Sequence, residues 1–346
     1  MVISLNRSLA RVIHLLRGLE TLGGNGSVVS YNKKMKHLYV IGNGFDIYTG
    51  LRTRYSDFQK WLGRNYAFIY EAMTMAYNIK GDWWCDFEVQ LGQLDIKKYV
   101  EKFRPPEMSW DQFHEEIEER KAFEEKYHVP PSMHFESECA YRLEGLLDVL
   151  QYCFEKWVED AQKTVVDPKY LTIEQEDSYF ISFNYTDVLE WLYMIPEGRV
   201  LHIHGRAAKR EHLVFGHNIM MLSRMYMGAD EEKVGEILDR YNKNPYKYIF
   251  KHDLPEIIKD VEHVHVFGLS LSPVDEEYID WIYNNTPNIC KWEDSWFSEE
   301  DSRRIDEFIL NHWGVKDRLH RIRLEEIKTE QNFIDNAGVI VQLRRS

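Results

Sequence analysis

Cysteine is scarce in this chain: four occur in 346 residues, at Cys85, Cys139, Cys153 and Cys290. No two are spaced as CxxC, so the sequence indicates neither a disulfide framework nor a cysteine-built zinc module. Reduced thiols fit a chain kept in a reducing compartment. Positive charge is also short, with 43 Lys and Arg against 57 Asp and Glu, a net charge of −14. Such a surface repels a phosphate backbone, which argues against direct nucleic-acid binding. No apolar run reaches the roughly 20 residues that span a bilayer. The expected place is therefore the cytoplasm, away from the membrane.

What remains is a globular composition. Hydrophobic residues make up 44%, charged residues 29% and aromatics 14%, enough to fill a sizeable core. Residues 1–34 stand apart. Arg7, Arg11 and Arg17 sit among scattered apolar residues, and the Gly/Ser-rich stretch Gly23 to Ser27 follows. This reads as a disordered or loosely helical extension ahead of one domain over 35–346.

Short apolar, β-prone runs are expected to be strands at 37–41, 179–183, 199–204, 212–215, 261–267, 288–292, 319–324 and 339–343. Helical spacing fills much of 55–163, and Leu143, Leu146, Leu147, Leu150, Phe154 and Trp157 form a core stripe. The expected fold is α/β: a Rossmann-like, mainly parallel sheet covered on both faces, with a large helical insertion over about 64–170.

Four strand ends carry polar residues. Gly42-Asn43-Gly44-Phe45-Asp46 follows the first strand. Glycines there permit a sharp turn and close approach to a ligand, and amides opening a helix bind phosphate. Ile47 breaks the full GxGxxG fingerprint, so an ordinary tight turn explains the spacing equally well. Ser182-Phe183-Asn184-Tyr185-Thr186-Asp187 ends a second strand. Asn184 both donates and accepts there, while Asp187 suits a helix cap. His202-Ile203-His204-Gly205 places two histidines on one side of a strand. His204 suits a general base; His202, His204 and His217 together suit a metal; a half-buried histidine suits neither. Gly268-Leu269-Ser270-Leu271-Ser272 follows another strand, and Ser272, Pro273 and Asp275 also read as a helix start.

Taken in order, IGNGFD, GLRTRYSDF, WCDFE, SFNYT, HIHG, VFGHN and GLSLSPVDEEY resemble the AbiH family, named for abortive infection of phage-infected bacteria. The likeness runs from about Met35 to near the C-terminus. The same order is similar, more distantly, to the sirtuins, which read GAGxSxxxGIPxFR, TQNID, HG and GTSL. Gly42, Gly44 and Gly50 match the first motif, Asn184 the second, His204-Gly205 the third, and Gly268 with Ser270-Leu271 the fourth. Two positions depart: Asp46 stands where sirtuins have serine, and Thr186 where they have an acid. No cysteine-rich module follows His204, so lysine deacylation is not expected.

The resemblance implies a sirtuin-like cleft in which NAD is substrate rather than prosthetic group, cleaved at the nicotinamide–ribose bond with water as acceptor. By that likeness Asn184 orients the ribose or water and His204 is the base. Gly42, Asn43, Gly44 and Phe45, with Gly268 and Ser270, would cradle phosphates. Asp46 and Asp275 would meet ribose hydroxyls, with Thr186 and Gly205 beside them. No metal is required. A homo-oligomer or a phage-derived trigger is a conceivable partner. Two other readings stand beside this one: a non-catalytic nucleotide sensor, and a metal hydrolase built on His202, His204 and His217.

Overall fold

A computed structural model describes residues 35–104, 110–127, 137–165, 169–209, 211, 213–218, 228–243 and 254–327. The expected N-terminal extension and the strand at 339–343 lie outside these residues. Six strands form one sheet: β1 (His37–Ile41), β2 (Ser178–Ser182), β3 (Val200–His202), β4 (His263–Phe267), β5 (Lys291–Trp296) and β6 (Leu319–Arg323). Every pairing is parallel, and the order is β3-β2-β1-β4-β5-β6. This is the doubly wound, Rossmann-like arrangement. The chain works outward on one side of β1, then crosses to β4 on the other. The strand order thus reverses between β1 and β4, and the crevice beyond their carboxyl ends is where such sheets take ligands.

Strand β1 shows why the sheet is covered twice. Leu38 and Val40 belong to one core with Tyr278, Ile279 and Ile282 of helix α11 (Glu276–Asn285) and Phe308 of helix α12 (Glu299–Asn311). Tyr39 and Ile41 point into another with Phe45, Leu189 and Tyr193. Both sets are almost fully buried, as the unbroken apolar run requires.

Between β1 and β2 lie helices α1 (Asn43–Tyr48), α2 (Tyr55–Asn65), α3 (Ala67–Tyr77), α4 (Phe87–Gly92), α5 (Ile96–Phe103), α6 (Trp110–Tyr127) and α7 (Glu138–Ala161). Those from α2 to α7 build most of a third core around Phe58, Trp84, Phe87 and Phe154, joined by Leu213, Phe215, Val234 and Ile237 from later in the chain. Helix α7 starts where Ser137 Oγ accepts from Ala140 N at 3.3 Å. Its Leu143, Leu147, Leu150 and Phe154 are no more than 1% exposed. Each such side chain contributes about 1.5–3 kcal/mol of burial. Three short helices complete the described set: α8 (Val188–Trp191), α9 (Ala229–Asp239) and α10 (Leu254–Ile258). None of the described helices is long and apolar enough to cross a membrane.

Several local expectations need correction. Residues 213–215 are not a strand, and β3 ends at His202, leaving His204 in the following turn. β5 runs from Lys291 rather than from Asn288, because Asp294 and Ser295 are buried strand residues while apolar Ile289 is exposed. Helix α11 opens at Glu276 with Asp275 at its cap, three residues beyond Pro273.

Candidate functional site

The turns after β1 and β4 are locked together. Gly44 N donates to Gly268 O at 2.7 Å, and Phe45 N to Gly42 O at 3.0 Å. A Cβ on Gly44 would lie 2.8 Å from Gly268 O; one on Gly42 would lie 2.5 Å from Leu269 Cα. Gly268 has φ +67°, and a Cβ there would meet Phe45 N at 2.1 Å. Its own amide donates to Ser295 Oγ at 2.9 Å. These glycines are therefore required by backbone meeting backbone. The amides of Gly44, Phe45 and Gly268 are engaged by the protein itself, which corrects their expected part in a phosphate cradle. Phe45 is fully buried against Tyr193.

Asn184 leaves β2 toward this pair of turns. Its Nδ2 donates to Asp46 Oδ1 at 2.7 Å and to Gly42 O at 3.0 Å. Both amide protons are thus spent on fixing the side chain, and Oδ1 is left buried without a protein partner. Thr186 Oγ1 donates to Asp46 Oδ2. Asp46 is thus a positioning residue for Asn184, with one donor on each of its two oxygens. Burial pushes its carboxyl up to about 7 against the two donors that pull it down.

His204 is 1% exposed. Burial, reinforced by the Lys243 cation, holds its pKa well below 6.5, so it is neutral at pH 7. Its Nε2 is buried and has no protein partner. The other two histidines are employed elsewhere. His202 Nε2 pairs with Glu190 at 2.8 Å, and His217 Nε2 with Leu238 O at 2.9 Å. The expected alternative of a three-histidine metal site is not formed; among the described residues no cluster of His, Cys, Asp or Glu is arranged to hold a metal.

Three functional candidates carried no assigned role in the sequence. Lys243 is 2% exposed, and its Nζ lies 2.6 Å from Glu88 Oε1. Tyr185 Oη donates to the same carboxylate at 3.1 Å. Asp275 faces this group: its carboxyl is raised to about 6 by burial and by Glu88, against the Lys243 charge. One oxygen receives Ser272 Oγ at 3.4 Å and the other, Oδ1, has no partner. His217 has its part here through its backbone: Lys243 N donates to His217 O at 2.7 Å and His217 N to Tyr241 O at 2.9 Å, which holds the lysine in place. Glu88 lies in the WCDFE motif, an acid within an aromatic run; Lys243 offers no sequence signal.

These groups line one cavity of about 440 Å³ at the point where the strand order reverses. That volume suits a small molecule, for which about 300–1,000 Å³ is usual. Asn43, Gly44, Asp46, Asn184, Thr186, His204, Gly268, Ser270 and Asp275 reach it. Gly42, Phe45 and Gly205 do not line it. Fold and cavity together define a doubly wound α/β protein with a ligand-sized cleft at its switch point. A family model described as bacteriophage abortive infection AbiH matches residues 38–296, and the chain belongs to that family. No curated protein matches it.

Proposed function

We propose that this AbiH protein hydrolyses the N-glycosidic bond of NAD or a related nucleotide in the Asn184–His204 cleft, depleting the nucleotide during phage infection. One observation carries the reading. Three buried polar atoms, Asn184 Oδ1, His204 Nε2 and Asp275 Oδ1, lack protein partners and belong to side chains lining one cavity. An unmet buried polar atom costs about 1–3 kcal/mol, so a set of them favours a ligand or water that hydrogen-bonds to them.

The chemistry follows from these atoms. His204 Nε2 takes a proton from water, whose oxygen adds to the anomeric carbon. The C–N bond breaks and nicotinamide leaves with the electron pair. Asp275 stabilises the positive charge developing on the sugar, and Asn184 Oδ1 holds a donor of the ribose or water. Asp46 and Thr186, the two departures from the sirtuin pattern, are hydrogen-bonded to each other.

A sensor role has one supporting observation. Phe154, Trp157 and Val158 of α7 form part of the cavity wall, so a ligand would touch the helical block directly. The test is a nucleotide panel incubated with purified full-length protein, followed by product analysis. Glycosidic cleavage of at least one nucleotide is expected. Binding without cleavage would favour the sensor, and neither binding nor cleavage would overturn both readings.

A further inference from the structure

The cavity wall includes residues that the reaction above does not use, among them Trp296, where β5 stops, and the next residue, Phe297. Phe297 is 61% exposed although it lines a cavity. Other exposed large apolar residues, such as Phe68, Leu310 and Trp313, line no part of it. The ring is presented on a pinned turn. Phe297 N and Ser298 N both donate to Asp301 Oδ2, at 3.3 and 2.9 Å, and Asp301 N returns a bond to Ser298 Oγ at 3.1 Å. Trp296 carries the Arg323 guanidinium over its ring at 4.3 Å.

Two arginines, Arg304 and Arg54, line the cavity of a protein whose net charge is −14, together with acidic residues such as Asp301 and Asp86. Arg304 Nη1 donates to Ser270 O at 3.3 Å, which ties it to the turn after β4. Glu300 neutralises it only in part, through Nε at 3.2 Å. An exposed ring in a cavity wall offers a face on which a planar group can stack, and an arginine in the same wall can pair with an anion.

We infer that Phe297 and Arg304 form a base-and-phosphate subsite of this cavity: Phe297 stacks on a second planar base and Arg304 pairs with the adjoining phosphate. The substrate is then a dinucleotide, with one glycosidic bond at the buried polar atoms and the other base at Phe297. This rests on the nucleotide reading above and narrows it. Stacking on an aromatic ring tolerates any base, because every base has a π-face.

The test is calorimetric titration of the full chain with AMP and, separately, with ribose 5-phosphate. Wild type should bind AMP more tightly than ribose 5-phosphate. Phe297→Ala should weaken AMP about 5- to 150-fold, the range equivalent to about 1–3 kcal/mol of base stacking, and leave ribose 5-phosphate unchanged. Phe297→Trp should retain AMP, and Arg304→Ala should weaken both ligands. AMP affinity unchanged in Phe297→Ala, or no AMP binding by wild type, would overturn the subsite. The hydrolase reading fails separately: protein that binds AMP through Phe297 yet releases no nicotinamide from NAD keeps the subsite and loses only the reaction.

Discussion

Replacing Asn184 by alanine removes two donors at once, and the structure says how the cost depends on pH. Nδ2 serves the Gly42 carbonyl, a neutral acceptor, and the Asp46 carboxyl. A hydrogen bond to a neutral group contributes about 0.5–1.5 kcal/mol and one to a charged group about 1.5–3. At pH 8 Asp46 is mostly ionised, since burial lifts it to about 7, and the summed loss is about 2–4.5 kcal/mol. At pH 5 it is protonated, both bonds are neutral, and the loss shrinks to about 1–3 kcal/mol. The linkage has the same sign. The folded carboxyl titrates above its unfolded value, so its contribution is fully present below about 4 and is lost as pH rises through about 7. Losing the Asn184 donor raises it further, so the variant keeps losing stability at pH values where wild type has levelled off. Urea denaturation of both proteins at pH 5 and pH 8 measures this. A variant within about 0.5 kcal/mol of wild type, the ordinary effect of a surface change, or one destabilised equally at both pH values, would refute the positioning role of Asp46.

Gly268→Ala should destabilise the protein by at least about 2 kcal/mol, from a left-handed backbone and a clash with Phe45 N; an unchanged thermal midpoint would show that the two turns can separate cheaply. For His204 the linkage runs the other way. Its folded pKa lies well below 6.5, so its contribution is present above about 6.5 and is lost as pH falls below that value. His204→Gln should flatten this acid limb of a thermal-midpoint profile, and an unchanged limb would place the titration elsewhere. Exhaustive chelation and dialysis should leave nucleotide cleavage intact, because His202 and His217 are each held by a separate partner; loss of cleavage restored by zinc or manganese would overturn this.

The sheet was legible because its central strands are continuous apolar runs ending in glycine turns, a signal local in sequence. β5 was read too early because its inner positions include Asp294 and Ser295, whose burial only the neighbouring strands impose. The motif at 42–46 was legible as a site, but not the reason for its glycines. That reason is the β4 turn, more than 200 residues away, whose backbone presses against them. Asn184 and His204 were legible as polar residues at strand ends. Lys243 was not, since its meaning comes from Glu88, 155 residues earlier, and from a two-bond backbone bridge to His217. Asp46 and Thr186 looked like separate departures from a motif until the fold brought them into one hydrogen bond.

The central claim is that His204 acts as base for glycosidic cleavage in this cleft. The direct measurement is the rate of nicotinamide release from NAD by the full-length protein and by His204→Gln, with folding of the variant checked by circular dichroism. The account predicts equal amounts of nicotinamide and ADP-ribose from wild type, and a rate at least about 100-fold lower in the folded variant, the lower end of what a positioned base contributes. No nicotinamide from wild type, or equal rates from both proteins, would contradict it.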